Sequence, residues 1–191
     1  MAIPPFQTDW SDIPSDSPGS ASASNPPPKE RKSLIIEGRD HPALEAIRDE
    51  LSQVEAPSED LLKKGEKILN ALDVLKFKYA LRYKMNEDLP ALNFHYSNFL
   101  KENDPQKILT EAENFPKWVE EKKESLKIIW SLELNDSDVR HIPEEASALK
   151  NLRIIDLTGN PRLTSLPDTL LNLPHLKTIK ADCPSLERCW A

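Results

Sequence analysis

The last third of this 191-residue chain repeats itself, and no other feature narrows the possible folds as far. Apolar residues recur in the order Leu152, Ile155, Leu157, then Asn160, Leu163, Leu166-Pro167, Leu170 and Leu173. The same order precedes it with one residue fewer, as Ile129, Leu132, Leu134, Val139, Ile142-Pro143, Ala146 and Leu149. Leu176, Ile179, Ala181, Leu186 and Cys189 begin a third copy. Starts at 129, 152 and 176 are 23 and 24 residues apart, within the window of about 20–29 residues for units that each give one strand and a return. A unit of this kind cannot bury its apolar face alone, so the copies must stack. The Leu and Ile positions of each strand then point into the stack and the residues between them face out. Asn160 marks the turn after the strand, where an amide can satisfy backbone groups left unpaired as the chain bends. Ser137 and Pro184 hold the matching positions, which predicts looser turns there, since Pro184 can donate nothing. The Ile142-Pro143 and Leu166-Pro167 pairs break the strand period and lead the chain to the convex side.

Upstream, residues 1–33 carry seven of the seventeen prolines and seven serines, with Met1, Ile3, Phe6, Trp10 and Ile13 as their only large apolar residues. So little apolar surface cannot offset an ordering entropy of ~1–2 kcal/mol per residue. The stretch reads as a disordered Ser/Pro-rich arm, either a tether or an address for export. From Asp40 the spacing becomes helical. Asp40 suits a cap, Pro42 a first turn, and Leu44, Ile47, Leu51 and Val54 recur on one face. A longer stripe follows Ser58, through Leu61, Leu62, Gly65, Ile68, Leu69, Leu72, Leu75 and Tyr79 to about Tyr83. Leu92, Tyr96, Phe99 and Leu100 predict a third helix, and Asp104-Pro105 opens a fourth through Ile108, Leu109 and Ala112. Phe115-Pro116 starts a fifth, with Trp118, Val119, Lys122 and Leu126 along one side.

Composition then removes several functions. With 32 acidic and 25 basic residues the net charge is −7, and the clustered Lys and Arg that a phosphate backbone demands are missing, so no nucleic-acid partner is expected. No apolar run nears the roughly 18 residues that span a bilayer, and no cleavable signal peptide opens the chain. Cys183 and Cys189 fit neither a disulfide framework nor a zinc site, which points to a reducing compartment. His41, His95, His141 and His175 stand alone, without metal-ligand spacing. Four glycines provide no phosphate loop, and the pairs Glu120-Glu121 and Glu144-Glu145 are adjacent, so their side chains diverge. No catalytic residue, metal or cofactor is expected.

The segment LRIIDLTGNPRLTSLPDTLLNLPHL resembles the bacterial leucine-rich repeat of the L-x-x-L-P type. Similar repeats occur in effectors that bacteria deliver into host cells, in which a helical N-terminal region precedes the solenoid. FPKWVEEKKESLKIIWSLELNDSDVRHIPEE is similar too, as a Trp-bearing helix running into the first strand. The resemblance covers about 115–191 and implies a protein-binding, secreted virulence function, exported into a host cell without a cleaved signal. In some such effectors a ubiquitin ligase domain with a catalytic cysteine follows the repeats. Here the third copy reaches Ala191, so that domain is not expected, and Cys183 and Cys189 are read as small buried hydrophobes.

The expected fold is therefore α+β. Four or five helices over 34–128 cap a short leucine-rich-repeat solenoid over 129–191, two full copies and a partial third, with Trp118, Val119, Leu126 and Trp130 at the joint. The outward positions of the strands form the expected partner-binding face. They are Ser131, Glu133 and Asn135, then Ile154, Asp156 and Thr158, then Thr178, Lys180 and Asp182. Glu133, Asp156 and Lys180 should make a charged row, about 4.8 Å per strand. The expected partner is a protein with a basic or mixed patch, a host protein if the chain is exported. Two alternatives remain: self-association through an open C-terminal repeat edge, and service as an adaptor for a ubiquitin ligase.

Overall fold

The computed structural model describes residues 41–85 and 104–182. The arm 1–33, Asp40, His95, the expected third helix around 92–100, and Cys183, Pro184, Leu186, Cys189 and Trp190 lie outside the described residues. Described residues form six α-helices and a small, open three-stranded parallel sheet.

His41 caps the first helical segment, its Nδ1 accepting from Ala43 N at 3.2 Å. A 3-10 turn, Pro42–Leu44, leads into α1 (Glu45–Gln53), which buries Ile47 and Leu51. Val54, placed by its spacing on that stripe, is instead the extended residue after the helix and is exposed. Ser58 then caps α2 (Glu59–Lys84), its Oγ accepting from Leu61 N at 3.3 Å. Glu59 and Asp60 in the first turn, with Arg82 and Lys84 in the last, complement the helix dipole. At ~1.5 Å per residue α2 is about 39 Å long, and it buries the whole predicted stripe from Leu61 to Leu75. It also buries Asp73, Phe77, Ala80 and Leu81. In α3 (Pro105–Glu113) the Asp104-Pro105 start holds, with Asp104 Oδ1 accepting from Gln106 N at 2.9 Å. The expected fifth helix is broken. It consists of α4 (Phe115–Glu121) and α5 (Lys123–Leu126), parted at Lys122, where the backbone leaves helical geometry.

The strands are short: β1 (Ser131–Glu133), β2 (Ile154–Asp156) and β3 (Thr178–Lys180). They pair in parallel in the order β1-β2-β3, with Ser131 opposite Ile154 opposite Thr178. Register offsets thus equal the 23- and 24-residue spacing of the sequence copies. The single-residue difference between the first two copies is taken up in the turn, because the bridge between His141 and Ser165 is already offset by 24. Each return begins at an extended proline. Pro143 precedes the 3-10 turn Glu144–Ala148, and Pro167 precedes α6 (Asp168–Leu171).

Two apolar clusters form the interior, and they meet inside α2. Residues from Ala43 to Leu75 together with Ile108 make the first. The second joins Phe77, Ala80 and Leu81 of α2 to Phe115, Val119, Leu126 and the inward residues of the strands, including Leu132, Ile155 and Leu157. One core therefore crosses the expected boundary at 128. Val119 and Leu126 are buried at the joint and Trp118 packs against it, stacked on Phe115 at 5.8 Å between centroids. Trp130 does not belong there: it is 59% exposed. Its place is taken by Phe77, which meets the Phe115 ring edge-on at 6.2 Å. The reason is positional, since Trp130 sits just before β1 while the inward position is filled by Ile129.

Truncating Phe77 to alanine should cost ~3–5 kcal/mol, the range for large aromatic residues in a core, and should raise amide exchange in β1. Trp130→Ala should change stability by less than ~1 kcal/mol. Urea unfolding followed with hydrogen exchange checks both; a loss of protection confined to α1 would contradict the joint.

Candidate functional site

Strand alternation places the expected outward residues as the spacing requires. Leu132, Leu134, Ile155 and Leu157 are fully buried, whereas Glu133, Asn135, Thr178, Lys180 and Asp182 are exposed and Ser131, Ile154, Asp156 and Thr158 are half-buried. Glu133, Asp156 and Lys180 share one register row. Asn135 and Thr158 lie beyond the strand ends, in turns, and Asp182 lies two residues past the end of β3.

The charges of that row are engaged within the chain. Lys84, from the last turn of α2, donates to Glu133 Oε1 at 2.9 Å, and Ser131 Oγ reaches the same oxygen at 3.4 Å. Lys180 Nζ donates to Asp156 Oδ2 at 3.3 Å. The other Asp156 oxygen accepts from Thr158 Oγ1 at 2.7 Å and Thr158 N at 3.2 Å. The Thr158 hydroxyl contributes most to holding the Asp156 carboxyl below its ordinary range; burial opposes it, and the Thr158 backbone N–H and then Lys180 add smaller lowering effects. Asp182 Oδ1 accepts from Gly159 N at 2.8 Å, so it fastens the neighbouring turn.

Beneath this face the turns are closed by Asn160, which is fully buried. Its Oδ1 accepts from Val139 N at 3.0 Å, and its Nδ2 donates to the carbonyls of Leu134 and Leu157, each at 2.8 Å, and of Thr158 at 3.2 Å. One side chain thus serves backbone groups of two copies. Gly159, with φ of +70°, precedes it, and any Cβ there would fall on the Asp136 carboxylate. The first turn is built differently. Asp136 and Asp138 adopt φ of 53° and 49°, a left-handed conformation that aspartate tolerates better than most residues. The buried Ser137 hydroxyl donates to Asn135 O at 3.1 Å.

Where the first turn lacks an asparagine, α2 supplies polar groups. Asp73, 1% exposed, accepts from Arg140 N at 3.2 Å through Oδ2, and Lys76 Nζ donates to Asp138 O at 3.0 Å. With Val139 N on Asn160, and Arg140 O accepting from Thr164 N at 3.2 Å, the backbone of 138–140 is satisfied from three directions. Arg162 adds a 3.6 Å ion pair to Asp138. None of Asp73, Lys76, Lys84 or Arg140 was singled out by sequence pattern. The one available signal was Asp73, a charge four residues from both Leu69 and Phe77 on an otherwise apolar helix face.

Among the described residues no group of three or more His, Cys, Asp or Glu side chains is placed to hold a metal ion, and no helix is long and apolar enough to cross a membrane. Comparison with protein-family models, curated proteins and solved structures finds no match to this chain.

The depressed Asp156 acidity carries a sign. A carboxyl whose folded pKa lies below its unfolded one, about 3.9, contributes stability that is fully present above the unfolded value and is lost as pH falls through the folded value. Asp156→Asn should therefore be less stable than the parent at pH 7, by no more than ~1 kcal/mol. That gap should close below about pH 4. Urea midpoints at pH 7, 5 and 3 read it; a gap independent of pH would remove the charge from the account.

Proposed function

We propose that the chain is a protein-recognition module whose sheet is a short leucine-rich solenoid, capped at its first strand by the helices and presenting its outward strand positions to a partner. One observation carries this reading. Residues 23 and 24 positions apart in sequence stand side by side in a parallel sheet, so the outward side chains form ordered rows. Stacked parallel strands with short returns on their other side offer a continuous surface of this kind, and repeat proteins use it for binding. The buried asparagine and the closed turns support it further, because rows bind well only when their spacing is fixed beforehand. The likeness of the repeat motif to that of host-directed effectors extends the reading to delivery into a host cell, with a host protein as the partner.

The three charged determinants take a narrower role in this proposal. Glu133 and Asp156 are already neutralised by Lys84 and Lys180, so they shape the face more than they attract a partner. A photo-crosslinking residue at exposed Thr178 should yield one discrete adduct in host lysate. The same probe at exposed Lys63 on α2 should yield none. An adduct at Lys63 with none at Thr178 would move recognition to the helices.

A further inference from the structure

The residues that begin each strand have a property that the rows above them lack. Trp130 O accepts from Arg153 N at 2.8 Å, and Arg153 O accepts from Lys177 N at 2.9 Å, so these three are neighbours across the sheet at equivalent positions of the three copies. All three side chains are exposed, Trp130 by 59%, and Ile128, two residues before Trp130, by 61%. Neither Arg153 nor Lys177 forms a side-chain ion pair or hydrogen bond among the described residues. By contrast Lys84, Lys180, Lys123 and Lys127 are each paired with a carboxylate. Exposed lysines unpaired among the described residues also occur elsewhere, at Lys63, Lys64, Lys67 and Lys150; what sets this row apart is that two such cations stand beside an exposed tryptophan at equivalent positions of neighbouring copies, which scattered single hydrophobes do not explain.

Resting on the protein-recognition reading above, we infer that the row Trp130, Arg153, Lys177, with Ile128, is the docking site for an acidic peptide segment of the partner. Tryptophan and arginine are the side chains that most often dominate binding energy at protein interfaces. Arginine can also take a carboxylate through two parallel hydrogen bonds. Two strand spacings of about 4.8 Å make the row ~10 Å long, the reach of about three extended residues. The segment that fits carries one large apolar residue, for Trp130 and Ile128, followed within three positions by two carboxylates. Charge complementarity commits the site to this occupant. Two cations are too few for a phosphate backbone, whose binding grows with the number of phosphates neutralised, and too few for the polybasic cluster that an anionic bilayer selects.

The test uses the full chain and a short fluorescein-labelled peptide bearing one leucine followed by three glutamates, alongside its glutamine counterpart. Anisotropy should show saturable binding of the glutamate peptide and none of the glutamine one. Arg153→Gln, Lys177→Gln and Trp130→Ala should each weaken it roughly tenfold. Lys63→Gln, on the exposed side of α2, should leave it unchanged, with circular dichroism verifying that every variant is folded. Equal binding of both peptides, or an unchanged Kd in the Arg153→Gln, Lys177→Gln double variant, overturns the proposal. So does tighter binding to phosphatidylserine vesicles or to an RNA oligonucleotide than to the glutamate peptide. If the peptide fails while the Thr178 crosslink forms, this site falls and protein recognition stands; if both fail, both fall.

Discussion

A fully buried amide sets the geometry on which the sheet relies. Asn160 accepts from one backbone N–H and donates toward three carbonyls, drawn from two successive copies. Leaving such groups unpaired away from water costs about 1–3 kcal/mol each, so the bend after β2 is possible because this side chain closes it. The consequences spread outward. Fixing Leu134 O and Val139 N relative to Leu157 O holds the first two strands in their 23-residue register while the following turns shift to 24. The register in turn decides which side chains share a row.

The first strand faces a different problem, since no earlier copy lies beside it. Helix α2 answers it twice over. Phe77, Ala80 and Leu81 cover the apolar end, and Asp73, Lys76 and Lys84 reach the first turn and the first strand with polar bonds. Because α2 also holds the separate cluster around Leu44, Leu62 and Leu69, one continuous helix contributes to both apolar clusters. A helix of four turns would have covered the strand alone. Seven turns also tie down α1 and α3, and that length is what the longer stripe in the sequence reflects.

What sequence reading could reach follows from periodicity. The strand positions, Asn160, Ser58, the Asp104-Pro105 start and the two proline exits all announce themselves through spacing or a residue type tied to a local geometry. Lys76 does not, and Asp73 does so only as a charge on an apolar helix face, because their partners lie more than sixty residues away. Trp130 misled for a related reason: an aromatic residue between apolar neighbours reads as core, yet Ile129 and Leu132 had already taken the inward directions. The break at Lys122 is equally silent, since the stripe of Trp118, Val119 and Leu126 continues across it. For the candidate face, the pattern supplied the rows and their order. It could not show that Glu133 and Asp182 are held by neighbours, since Lys84 comes from another element and the Gly159 donor is a backbone group.

The account therefore turns on Asn160, and replacing it with leucine is the most direct measurement. The side chain is similar in size but leaves Val139 N and the carbonyls of Leu134 and Leu157 without partners. Native-state hydrogen exchange on Asn160→Leu should show Val139 and the β1–β2 amides losing protection together, with global stability reduced by at least ~2 kcal/mol, while α1 and the first half of α2 keep theirs. Unchanged protection at Val139, or a loss confined to residues 158–162, would contradict the claim that this one amide holds the two copies in register.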